Sequence, residues 1–100
     1  MKSRLELSAI LHTLADNVYF QPTTGTKISY PCITYERASG LNNRADNLSY
    51  LFTQSYTVTV IDKNPDSELP EKVRNAFQMC TFERHFVNDG LNHDVFLIYF

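Results

Sequence analysis

The chain has 100 residues, 43% of them hydrophobic and 20% charged. A chain of this size buries roughly 65% of its unfolded surface, enough for one domain with one core, and the balance is that of a folded chain. The formal net charge is −2, and the nine Lys and Arg residues are scattered singly from Lys2 to Arg84, so no basic patch is expected to track a nucleic-acid backbone. Lys2 and Arg4 are not followed by a long apolar run, which argues against a signal peptide. No stretch approaches the ~20 apolar residues of a membrane span. The expected setting is the cytoplasm of a host cell. Six Tyr and seven Phe stand out, because such rings favour protein–protein contact at low entropic cost.

In chain order, Ser3 and Glu6 have capping-box spacing, and Leu7, Ile10, Leu11 and Leu14 fall on one helical face. A helix is predicted over Arg4 to Ala15, closed by Asp16-Asn17. Val18-Tyr19-Phe20 is a short extended piece, followed by Gln21-Pro22 and a polar run through Gly25. Ile28 to Arg37 is a predicted strand, entered at a sheet edge because Pro31 cannot donate to a ladder. Ala38 to Leu48 is polar and too long for a tight hairpin. In Ser49 to Asp62, Tyr56, Val58 and Val60 alternate with Thr57 and Thr59, the signature of a strand with one apolar face.

Asn64-Pro65-Asp66 breaks that strand, and Asp66 or Ser67 is positioned to cap a second helix over Ser67 to Phe77. Its apolar face is Leu69, Val73, Ala76 and Phe77, with Pro70 tolerated in the first turn. Met79 to Val87 and His93 to Phe100 are strands about an Asp89-Gly90 hairpin turn. The expected fold is α+β: a single domain spanning residues 1–100, with two helices on one antiparallel or mixed sheet of about four strands, in the order α-β-β-α-β-β. The last strand is unusual. Val95, Leu97 and Tyr99 alternate with Phe96, Ile98 and Phe100, so both faces are apolar, and either helices or another subunit must cover the second one.

Chemistry finds little support. His85, His93 and Asp94 lie near the hairpin, but their spacing from Cys80 matches no standard zinc pattern. Cys32 has His12 and Asp16 as nominal partners, yet it sits between Pro31 and Ile33 in an apolar strand, where burial makes a thiol inert. Cys32 and Cys80 are expected to be buried reduced thiols. Asp62 and Asp66 flank Pro65 as turn and cap residues. The three glycines, Gly25, Gly40 and Gly90, form no phosphate loop. No catalytic residue, metal or cofactor is expected. Asp46, Asn47 and Tyr50 can be read as Asx-turn formers and a packing aromatic, or as part of a loop held out for a partner.

The runs Tyr30-Pro31-Cys32-Ile33-Thr34-Tyr35-Glu36-Arg37, Ala45-Asp46-Asn47 with Tyr50, Tyr56-Thr57-Val58-Thr59-Val60-Ile61-Asp62 with Pro65-Asp66-Ser67, and Leu91-Asn92-His93-Asp94 occur in this order. Together, from about Val18 to Phe100, they resemble the tail completion or tail terminator proteins of long-tailed bacteriophages and prophages. The resemblance implies a non-enzymatic virion subunit at the head–tail junction. It implies a homo-oligomeric ring, commonly a hexamer, that caps the tail tube protein and meets the head–tail connector proteins. The interface residues expected on that basis are Asn43, Asp46, Asn47, Tyr50, Leu97, Ile98 and Tyr99. Two alternatives stand beside it: another connector or stopper component, and a monomeric module binding a small ligand or peptide.

Overall fold

The computed structural model describes residues 4–23, 25, 27–38 and 54–100. Helix α1 is Arg4–Leu14, followed directly by strand β1, Val18–Phe20. Strands β2, Cys32–Arg37, and β3, Ser55–Asp62, come next, then helix α2, Leu69–Ala76. Strands β4, Cys80–Asn88, and β5, Leu91–Tyr99, complete the chain. The strands form one sheet in the order β1-β2-β3-β5-β4.

This corrects the expected α+β architecture. The sheet is mixed and has five strands rather than about four, and the order along the chain is α-β-β-β-α-β-β. The additional strand is the short piece after α1, which pairs parallel with β2 through Val18–Ile33, Tyr19–Thr34 and Phe20–Tyr35. Three residues are too few for alternation to declare a strand. Their pairing also depends on residues some fifteen positions away rather than on a local turn. The ladder is extended at both ends, where the Ile33 N–H donates to the Asn17 carbonyl at 2.9 Å and the Gln21 N–H to the Tyr35 carbonyl at 2.8 Å.

Other boundaries shifted for local reasons. β2 starts at Cys32, not Ile28, because the residue before it is Pro31, which has no N–H for the ladder. β3 is described from Ser55, and residues 49–53 of the expected strand lie outside the described residues. The Ser67 hydroxyl accepts the Leu69 N–H at 3.2 Å, so α2 begins two residues later than expected. Phe77 has already left the helix (φ −127°, ψ 138°) yet stays buried, whereas Ala76, expected on the apolar face, is exposed. Asp62 and Asn64 act as turn acceptors, each receiving the N–H two residues on at 3.0 Å. Asp89 and Gly90 both have positive φ, 52° and 75°, as a two-residue hairpin turn requires.

Cross-strand register decides which side chains share a face, because directly opposed residues point the same way. Val58 lies opposite both Tyr35 and Phe96, and Tyr56 lies opposite Ile98. These residues, with Ile33 and Val60, form one buried cluster with Leu7 and Leu11 of α1 and Leu69, Val73 and Phe77 of the α2 segment. Both helices therefore cover the same face. An aromatic row crosses that face: Phe20 and Tyr35 rings are 4.9 Å apart, and Tyr35 and Tyr56 are 6.4 Å apart. Arg4 closes the row, its guanidinium 4.4 Å from the Phe20 ring centre and 3.3 Å from the Tyr35 hydroxyl. The far face carries Thr34, Thr57 and Thr59 beside Val95, Leu97 and Tyr99.

The two sides of β5 are thereby assigned. Ile98 is fully buried under the helices, and Leu97 is half-buried on the far face opposite Thr57. A carboxylate at Ile98 puts an unpaired charge in the core, which costs several kcal/mol of the ~5–15 kcal/mol that holds such a domain together. Ile98→Asp is expected to abolish the cooperative thermal transition. Leu97→Asp is expected to keep a native circular dichroism spectrum and a cooperative transition at somewhat lower temperature. Equal loss of folding in both variants would contradict this assignment of faces.

Candidate assembly surface

Asn43, Asp46, Asn47 and Tyr50 lie outside the described residues. Ile98 is wholly enclosed in the helix-side core, so it acts on folding and offers no surface to a partner. Leu97 and Tyr99 do lie together on the far face, at alternate positions of β5 and opposite Thr57 and Ser55. Val95 continues the row and is almost wholly buried, as are Cys32 and Ile61 on the same face, and none of the three belongs to the helix-side cluster. On β2 and β3 the far face is polar at Thr34, Glu36, Thr57 and Thr59 and apolar only at their Cys32–Ile61 end, whereas on β5 Val95, Leu97 and Tyr99 form a continuous row. Beside Tyr99 in register, the buried Ser55 hydroxyl has no hydrogen-bond partner among the described residues.

β4, the outer strand of the hairpin it forms with β5, is the most exposed strand of the described sheet. Every β4 residue after Cys80 is exposed, including Phe82, Phe86 and Val87. At its base Phe82 meets Phe96 edge-on at 5.5 Å, and the two line an open groove with Pro70, Glu71 and Arg74 of α2. Farther out, His85 Nδ1 lies 2.8 Å from Asp94 Oδ1. His93 stacks on Phe86 with ring centres 4.5 Å apart and planes 10° apart, and its Nδ1–H donates to the Leu91 carbonyl at 3.1 Å.

The hairpin explains why its histidines do not converge. His85 is opposite Asp94 and His93 is opposite Phe86, so the two imidazoles leave the ribbon on opposite faces. Among the described residues no group of three or more His, Cys, Asp or Glu side chains is arranged to hold a metal ion. No described helix is long and apolar enough to cross a membrane. The Phe86–His93 pair follows from counting back from the two-residue turn, but the Phe82–Phe96 pair could not be found from sequence spacing, because it depends on the bulge that resets the β4 register between Phe82 and Arg84.

The cysteines are also kept apart. Cys32 lies on the far face of β2 and Cys80 on the helix side of β4, with β3 and β5 between them. Three strand spacings amount to ~14 Å, beyond the ~7 Å reach of a disulfide. Both thiols are free. Burial pushes the Cys32 thiol up to about 11, aided by the negative charge of Asp62. Burial also raises Cys80, partly offset by Arg74.

No family model matches this sequence, and no curated protein or solved structure matches it either.

The thiol environments make a direct prediction. A pKa of about 11 leaves only ~0.1% of Cys32 as reactive thiolate at pH 8. Alkylation of the folded protein at that pH is expected to label partly accessible Cys80 and to spare Cys32 until denaturant is added. Mass mapping of the labelled peptides reads the result, and early labelling of Cys32 would contradict its burial.

Proposed function

We propose that this chain is a structural subunit of a bacteriophage tail, a ring-forming terminator or completion protein that caps the tail tube and joins it to the head connector. The reading rests on the ordered resemblance of segments between Val18 and Phe100. The observation that carries it in the fold is the far face of β5. There Leu97 and Tyr99 form an apolar strip outside the helix-covered core, the kind of surface that burial against another subunit stabilises. The role asked of the protein is mechanical. A ring seated on the tube end stops further addition of tube subunits and presents a new surface to the connector.

Negative-stain imaging of the purified protein with and without tail tubes tests the proposal. Rings of density at tube ends, with tubes of uniform length, are the expected result. Folded Leu97→Asp protein is expected to leave the tube ends bare. Unchanged tube growth in the presence of excess wild-type protein would refute the terminator role.

A further inference from the structure

β4 lies at one margin of the sheet, and among the described strands its only partner is β5. An open edge of nine residues is a template for another strand, and natural proteins usually blunt such edges with charge, proline or a bulge. β4 has no proline. It has one acidic and one basic residue side by side, Glu83 and Arg84, both exposed and both at the bulge. Around them lie the exposed Phe82, Phe86 and Val87, at 49%, 39% and 61% of their full accessibility.

We propose that this edge docks a second copy of the same chain, β4 against β4 in antiparallel fashion, about a two-fold axis passing between Glu83 and Arg84. The bulge is what selects this register. Cys80, Phe82, His85 and Val87 are opposite Ile98, Phe96, Asp94 and Asn92, alternate residues of β5 that share the helix-side face. Thr81, Arg84 and Phe86 are opposite Leu97, Val95 and His93 on the far face. Facing therefore slips by one residue at the bulge, and opposed side chains in any continuing ladder must again share a face.

With the axis between Glu83 and Arg84, Phe82 opposes the other copy's His85, Thr81 its Phe86 and Cys80 its Val87, and each of these pairs agrees in face. Moving the axis by half a residue places Phe82 opposite Arg84 or Phe86, whose side chains leave on the other side. Moving it by a full residue separates Glu83 from Arg84.

In the selected register Glu83 of each copy meets Arg84 of the other, twice over. The charges that discourage an unrelated strand thus complement a second copy of this one, which is how a charged edge separates its own partner from others. A two-fold contact closes at two copies and leaves no β4 edge open for further growth. It does not rest on the tail reading, because a ring requires a different, head-to-tail surface.

Light scattering or sedimentation of the full chain across a concentration series tests the pairing. The wild-type protein is expected to reach twice the mass of one chain. Glu83→Lys and Arg84→Glu each set like charges against each other and are expected to weaken the dimer at least about tenfold, with circular dichroism confirming that both remain folded. Mixed in equal amounts, the two variants again match acid to base, and the doubled mass is expected to return. The double variant Glu83→Arg, Arg84→Glu is expected to dimerise by itself. Wild-type protein that keeps single-chain mass at every concentration would overturn the proposal. So would an assembly unaffected by the single changes, or a mixture that fails to recover.

Discussion

The antiparallel ladder between β3 and β5 runs over eight residues in the middle of the sheet, and the rest of the molecule is organised by its register. Opposing Val58 to Phe96 and Tyr56 to Ile98 gathers four large apolar side chains onto one face. Only that concentration gives two short helices enough surface to cover. Leu7 and Leu11 from one helix and Leu69 and Val73 from the other meet there, although the helices lie more than fifty residues apart in the chain. A one-residue slip of β3 against β5 would send Tyr56 and Val58 to the far face, away from Phe96 and Ile98, and leave the helices facing threonines on β3.

The same register accounts for the character of the far face. Alternation along β3 makes Thr57 and Thr59 the counterparts of the core valines, and β5 answers with Leu97 and Val95. A central strand that is apolar on both sides while its neighbour is half polar is not the pattern of a sheet backed once by helices and once by water. Hydrophobic burial is non-directional, so the strip on β5 says that cover is favourable without naming its shape. That is the physical content the tail-ring reading draws on.

The hairpin beyond the helices follows different rules. There the ladder still holds, but little packs on either side, and local devices take over: a positive-φ turn at Asp89 and Gly90, a stacked Phe86–His93 pair, and the His85–Asp94 contact. The bulge at Phe82 and Arg84 separates this outer ribbon from the part anchored on Phe96. It also places Glu83 and Arg84 at the point where facing changes, which gives the edge a polarity that a regular strand would lack.

Periodicity in the chain determined what neighbouring residues decide together. The leucine spacing of α1 placed its end within one residue, the Tyr56-Val58-Val60 alternation located β3, and Asp89-Gly90 located the hairpin, since each signal is written within one or two turns of backbone. The long polar stretch holding Asn43, Asp46, Asn47 and Tyr50 lies outside the described residues, and of the candidate site only Leu97, Ile98 and Tyr99 can be placed. Their alternation was visible in the chain, but which side was core was not, because period two separates two faces without labelling either. Tertiary structure made that choice by pairing Ile98 with Tyr56 beneath the helices and Leu97 with Thr57 away from them. It also recruited Val18–Phe20 as a fifth strand and shifted the facing of β4 at a bulge. Those decisions rest on hydrogen bonds between residues distant in sequence, which leave no local pattern to read.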